Sequence, residues 1–250
     1  MTLPKGYISY SQIRTYRSCP KQYYFRYVEN IETPINDKIF VGIVFHDAVD
    51  FHIKNQINGS LLSKGETSDY FTEIFNTKAD SSEIIWSESR EKSFRRGLAF
   101  INYFIKNMVS SIKPMMTEKE FECALPDSDV RLKGIIDLVE EDFSITDFKT
   151  TTAKWSKDRV NKSFLQMCIY KYLFEESIGG HIKELKFKII YSKTASKIKH
   201  QEHSLLSENV DMDKVFEIIN FVIDNIEKGY FNKSEGYICN FCDFKDICFK

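Results

Sequence analysis

The chain has 250 residues, with 35 basic and 36 acidic side chains and a formal net charge of −1, so no global positive field advertises a polyanionic partner. Hydrophobic residues make up 42% and charged residues 28%, with only 10 Gly and 5 Pro, which excludes collagen-like, low-complexity and wholly disordered chains. No apolar run approaches the ~20 residues that cross a bilayer, and the opening segment lacks the apolar core of a secretory signal; the expectation is one soluble, cytoplasmic domain without membrane association, large enough to bury its own core.

Ser11 reads as the N-cap of a helix that reaches about Val28 and is kinked near Pro20. A second helix opens near Phe40, with Val41, Val44, Phe45, Ala48 and Val49 at three- and four-residue spacing. Residues 55–68 read as a polar connection, a helix follows over about Tyr70–Thr77, and a long one runs from Glu83 to Ile112, ended by Pro114. The period then changes to two. Glu118–Leu125 alternates, Val130–Val139 and Phe143–Thr150 are β-branched runs, and the acidic turn Glu140–Glu141–Asp142 makes the last two a hairpin. Ser163–Ser177 returns to helix with Gly179–Gly180 as its stop. Leu185–Tyr191 reads as a strand, Ser204–Leu206 as part of another, and Asp211–Lys228 as a helix. The outline is an α/β fold: a mixed central sheet flanked by helices, with a helical lobe over about 30–115, a core over about 116–210 and a cysteine-rich tail, all in one domain.

The six cysteines are unevenly placed. Cys239, Cys242 and Cys248 form a C-x2-C-x5-C run, and Cys19 stands far upstream beside Pro20. Cys123 and Cys168 sit among apolar residues and read as small buried hydrophobes. Without a secretion signal the thiols stay reduced, so disulfides are not expected. Three clustered thiolates leave a tetrahedral zinc or an iron–sulfur cubane one ligand short, and Cys19 is the natural fourth if the chain ends meet. Spacing alone does not choose between the two metals.

The segment GIIDLVEEDFSITDFKTT, residues 134–151, carries the chemistry. Asp147 and Lys149 are two apart on a strand and share a face, while Phe148 points the other way into the core. Asp137 lies across the hairpin, so two carboxylates and an ammonium converge. Burying that trio has no stabilising logic, because unpaired charge is costly to desolvate. Oxygen ligands of this kind suit magnesium or manganese, and a lysine beside them can orient or deprotonate an attacking water. The pattern is that of a hydrolytic phosphodiester site. A D-x-K triplet alone is equally an ordinary surface ion pair, worth at most ~1 kcal/mol.

Four segments make the chain resemble the RecB-like branch of the PD-(D/E)xK nuclease superfamily, which includes the CRISPR-associated RecB-like exonucleases and the AddB nuclease domain. They are YISYSQIRTYRSCPKQYYFRYV at the start, VGIVFHDAVD with His46, GIIDLVEEDFSITDFKT, and FLQMCIYKY with Gln166 and Tyr170. The nine residues between Asp137 and Asp147 are fewer than that pattern usually has, and Asp147 stands where Glu is the alternative. The resemblance implies a restriction-endonuclease-like core and a metal-dependent DNA nuclease, with His46, Asp137, Asp147 and the Phe148 carbonyl holding Mg2+ or Mn2+. It implies that Lys149 orients or activates the water, that Gln166 supports the site and that Tyr170 touches the strand backbone. It also implies a 4Fe–4S cluster on Cys19, Cys239, Cys242 and Cys248, a staple joining the first helix to the tail, with Zn2+ as the alternative. The expected substrate is single-stranded DNA or single-stranded ends, digested as an exonuclease, with endonuclease or flap activity besides. Partners would be a helicase, a recombination protein or a CRISPR adaptation protein. Arg90, Arg95, Arg96, Phe100 and Tyr103 of the lobe are expected to wall the strand groove. The competing reading is a non-catalytic DNA-binding or helicase-associated module that keeps the fold; the joint presence of His46, Asp137, Asp147, Lys149 and Gln166 argues against it.

Overall fold

The computed structural model describes residues 3–249. Strand β1 (Tyr7–Ser9) runs directly into α1 (Tyr10–Ser18). The helix starts as soon as the strand ends, so its N-cap is Ser9, whose hydroxyl accepts from the Gln12 N–H, and Ser11 lies inside the helix. Cys19 interrupts the helix in an extended conformation, and Pro20 restarts it as the first residue of α2 (Pro20–Tyr23), which continues as a π-helical turn over Tyr24–Val28.

The lobe comprises β2 (Ile35–Asn36), α3 (Asp37–Ile57), α4 (Lys64–Ser81), β3 (Ile84–Ile85) and α5 (Arg90–Asn107). Asn36 caps α3, a Ser63–Glu66 capping box opens α4, and Ser89 caps α5. The continuous helix expected from Glu83 is therefore split: Ile84–Ile85 pairs in parallel with Ile35–Asn36, and α5 begins afresh after Ser89. Residues 64–68, expected in the polar connection, are the first turns of α4.

The remaining elements are β4 (Pro114–Ala124), β5 (Arg131–Glu140), β6 (Ser144–Thr151), α6 (Lys157–Ile178), β7 (Glu184–Tyr191), β8 (Lys199–Leu206), α7 (Met212–Glu227) and α8 (Lys245–Cys248). They complete a mixed sheet of order β1-β5-β6-β7-β8, with β4 also on β5. The β1–β5 and β6–β7 pairs are parallel and the other pairs antiparallel. β4 covers one edge of β5 from Arg131 to Glu140, so β1 and β6 share the other edge: β1 takes Arg131–Lys133, and β6 takes only Leu138 and Val139. Between them the sheet forks, and Asp137 stands at the fork.

Helices cover both faces. On one, Ile136, Leu173, Phe187, Ile189 and Ile219 belong to a core shared by the sheet, α6 and α7. On the other, Phe45, Ile101 and Phe104 of the lobe pack with Leu138, Phe148 and Ile190. Gly134 lets α6 approach β5 closely: a Cβ there would lie 2.8 Å from Leu173 Cδ1 and 3.1 Å from Tyr170 Cε1. Among the described residues no helix is long and apolar enough to cross a membrane.

Candidate active site

Past Val139 and Leu138 the β5–β6 ladder ends, and the Asp137 side chain takes over: Oδ2 accepts the Phe148 N–H at 2.8 Å. Strand alternation then does the rest. Phe148 turns its ring into the lobe core, edge-on to Phe104 at 5.5 Å between centroids. Asp147 and Lys149 face the opposite way, with Lys149 Nζ 2.8 Å from Oδ1 and 2.7 Å from Oδ2. Asp147 is fully buried, and its Oδ2 takes no well-aligned hydrogen bond even with the ammonium so near.

Helix α3 delivers His46 to the same place. Its Nδ1 lies 3.4 Å from Asp137 Oδ2 and 3.4 Å from Glu118 Oε1, and one ligand atom from each of the three residues lies within 4.8 Å of the others. Glu118 was not among the sequence-derived candidates. The register that pairs Thr117 with Leu138 and Lys119 with Ile136 sets it across from Asp137, and its backbone is left-handed at φ 41°. Nothing in the local pattern of β4 sets this glutamate apart.

The charges are strongly coupled. Burial lowers the His46 imidazole pKa, but the carboxylates of Asp137 and Glu118 outweigh it and hold it at about 9. Burial pushes the Asp147 carboxyl up to about 6, against the opposing pull of Lys149. Asp137 is also raised, first by burial, although His46 and Lys149 draw it down. Burial disfavours the Lys149 ammonium, yet Asp147 and Asp137 together keep its pKa above the usual lysine value. With two carboxylates, an imidazole and a third carboxylate at the edge, the donor set suits a hard divalent cation.

Of the other expected residues, Gln166 and Tyr170 lie one turn apart on α6 and are joined, Gln166 Nε2 donating to the Tyr170 hydroxyl at 2.8 Å. Gln166 reaches the groove beside the acidic site. Tyr170 is buried beneath it, against Gly134, rather than exposed to a strand; burial and the charges of Asp147 and Asp137 hold its phenol well above the usual range.

The groove, about 1150 Å³, runs from Lys149 between α1 and the start of α6 on one side and α3 on the other. The first wall carries Arg14, Arg17, Arg159 and Lys162; the second presents Ile39 and Ile43, 52% and 40% exposed, with Lys38 alongside. Among the described residues Arg14, Arg17 and Arg159 form no ion pair. Arg159 lies over the Trp155 ring, and burial and the like charge of Arg14 lower its pKa. The wall expected from the lobe is thus corrected. Only Arg96 and Phe100 of that group line the groove. Arg90 and Arg95 are held by Asp80 and Glu91, and the Tyr103 hydroxyl is bonded to His200.

The four candidate cluster cysteines line a separate cavity of about 200 Å³ between α2 and the tail. The Ser234 N–H points to Cys19 Sγ at 3.4 Å, and burial, with the charges of Asp243, Cys19 and Cys248, raises the Cys242 thiol pKa. Cys123 and Cys168 lie elsewhere, their thiols pushed up to about 11 by burial, which keeps them protonated and inert at neutral pH.

Cation affinity at this site is expected to rise with pH. A cation can use the His46 nitrogen only when it is unprotonated, and its pKa of about 9 means that a proton must leave at neutrality. Mn2+ affinity measured by calorimetry should climb between pH 7 and about 9 by up to about tenfold per unit and then level off. A flat profile would remove His46 from the ligand set.

A family profile for the PD-(D/E)XK nuclease superfamily matches residues 7–249. The crystal structure of a candidate exonuclease from Eubacterium rectale superposes with a TM-score of 0.56 at 16% identity, over 95% of this chain and 87% of that one. The crystal structure of SSO0001 gives a TM-score of 0.38 at 15% identity, over 87% and 86% of the two chains. No curated protein matches the sequence. The match spans both helix-covered faces of the sheet and the fork with Asp137, Asp147 and Lys149, and on it the chain belongs to the PD-(D/E)XK nuclease superfamily.

Proposed function

We propose that this nuclease is a Mg2+- or Mn2+-dependent exonuclease acting on single-stranded DNA or single-stranded ends, with flap cleavage as its secondary activity, and that a 4Fe–4S cluster staples its tail to its first helices. The asymmetry of the groove carries the substrate reading. A duplex presents phosphates outward on both strands, whereas a single strand has a charged side and a base side. Arg14, Arg17, Arg159 and Lys162 on one wall suit the phosphates, and the exposed Ile39 and Ile43 on the other suit unpaired bases.

In this reading His46, Asp137, Asp147 and the Phe148 carbonyl hold the cation, which supplies Lewis acidity at the scissile phosphate. Lys149 orients the attacking water and donates to the developing negative charge. Gln166 braces the site from α6, and Tyr170 positions Gln166 through their shared hydrogen bond.

The cluster reading rests on the cavity that Cys19, Cys239, Cys242 and Cys248 line together. Four thiolates around one cavity can serve a cubane, with one at each iron corner, or a tetrahedral zinc, which is the alternative occupant.

The test uses anaerobically purified protein, Mg2+ or Mn2+, and end-labelled single-stranded and blunt duplex DNA. Progressive shortening of the single strand with the duplex intact is expected. Arg14→Ala and Arg159→Ala should each weaken single-strand binding and reduce the slope of log affinity against log salt by about one, the effect of losing one phosphate contact. Equal digestion of both substrates, or unchanged salt slopes, would overturn the single-strand reading.

A further inference from the structure

We propose that Glu118 is a direct ligand of the divalent cation, forming with His46 and Asp137 a three-donor set on one side of the ion. This rests on the cation-dependent reading above and adds a ligand from β4, whose Thr117 hydroxyl also donates to the Asp137 carbonyl at 3.0 Å.

Three glutamates on β4 make the contrast. Glu120 pairs with Lys133 at 2.9 Å and Glu122 with Arg131 at 3.0 Å, each an ordinary ion pair with the neighbouring strand. Glu118 instead faces Asp137, since the flanking residues pair Thr117 with Leu138 and Lys119 with Ile136. Like charges directly opposite across a strand pair are destabilising, and no Lys or Arg among the described residues forms an ion pair with either of these two carboxylates. Their common partner is the His46 imidazole, 3.4 Å from each. Buried Asp147 adds a third carboxylate to the neighbourhood, and Lys149 lies 2.7 Å from it. Three carboxylates thus share one ammonium and one imidazole, and only the imidazole is in reach of Glu118 and Asp137.

The spacing suits one ion. Mg2+ or Mn2+ with octahedral bonds of ~2.1 Å sets adjacent donor atoms about 3.0 Å apart. The two 3.4 Å separations need to close only slightly around such an ion. Imidazole nitrogen with two carboxylates is a mixed donor set that favours Mn2+ over Ca2+, which takes oxygen ligands.

The rival role for Glu118 is that of a counter-ion to protonated His46, with no bond to the cation. Titration of the full chain with Mn2+ in the absence of DNA separates the two, read by calorimetry and by the electron paramagnetic resonance of the bound ion. Glu118→Gln is expected to weaken Mn2+ at least tenfold, whereas Glu120→Gln on the same strand should leave affinity unchanged. Because the backbone at 118 is left-handed, Glu118→Asn, which tolerates that conformation, is the second variant and should show the same loss with an unchanged melting temperature. Asp137→Asn is the reference and should lose Mn2+ too. Wild-type affinity in both Glu118 variants, with loss in Asp137→Asn, would overturn the assignment of Glu118. Wild-type affinity in Asp137→Asn as well would overturn the cation site itself.

Discussion

Lys149→Ala is expected to lower single-strand cleavage at least about a thousandfold, about 4 kcal/mol of transition-state stabilisation, while Mn2+ and DNA affinities at pH 8 stay within about threefold of wild type. The ammonium is held by Asp147 at 2.7 Å and is itself no ligand, so its removal deletes a donor to the reacting phosphate without deleting a cation contact. The pH of the assay matters. Burial already raises the Asp147 carboxyl to about 6 in the presence of Lys149, and without the ammonium its protonated form is favoured further. At pH 8 the wild-type carboxyl, at about 6, is ionised for the cation, and working well above that value limits protonation in the variant. Undiminished turnover would remove Lys149 from the chemistry. A loss of Mn2+ affinity as large as the loss of rate would recast it as a residue that assembles the site.

Cys19→Ser is expected to abolish iron binding, the second large effect. Anaerobically purified wild type should be brown and hold about four irons per chain, as a cysteine-ligated cubane does, and the variant should be colourless. Cluster binding energy is folding energy, so amide exchange should quicken in α2 and in residues 233–249 together. It should not spread further. Arg26 pairs with Asp243 at 2.6 Å, the Tyr16 hydroxyl donates to the Tyr230 carbonyl at 2.5 Å, and Phe25 packs against Phe244, so the tail keeps other anchors. Cys123→Ser and Cys168→Ser should retain full iron, since those thiols lie in the main core. One zinc per wild-type chain and no iron would replace the cubane.

Local pattern carried a good deal of this structure. The D-x-K triplet put Asp147 and Lys149 on one face because strand periodicity is two and no tertiary contact is needed to know it. Gln166 and Tyr170 shared a helix face for the corresponding reason at a spacing of four. What depended on register or on distant segments was not readable. Glu118 is one of three similar glutamates in EKEFE, singled out only by the β4–β5 pairing. The groove wall brings Arg14 and Arg17 of α1 beside Arg159 and Lys162 of α6, whereas the sequence drew attention to the denser run Arg95–Arg96, whose charges are neutralised locally by Glu91 and Glu88. Short-range competition also moved boundaries: Ser89 offered a better helix start than Glu83 once Ile84–Ile85 had found a strand partner.

The fork in the sheet gives Asp137 a double inheritance. Its carboxylate stands in for a backbone carbonyl by accepting the Phe148 N–H, so the position is constrained by folding as well as by chemistry. A descendant that abandoned cleavage would be free to discard Lys149, whose departure leaves every rung of the β6 ladder in place. It would still need an oxygen at 137. Inactive relatives are therefore expected to diverge first at the lysine and to drift from Asp to Asn at the fork, and an alignment of them would show the acid's structural duty outliving its catalytic one.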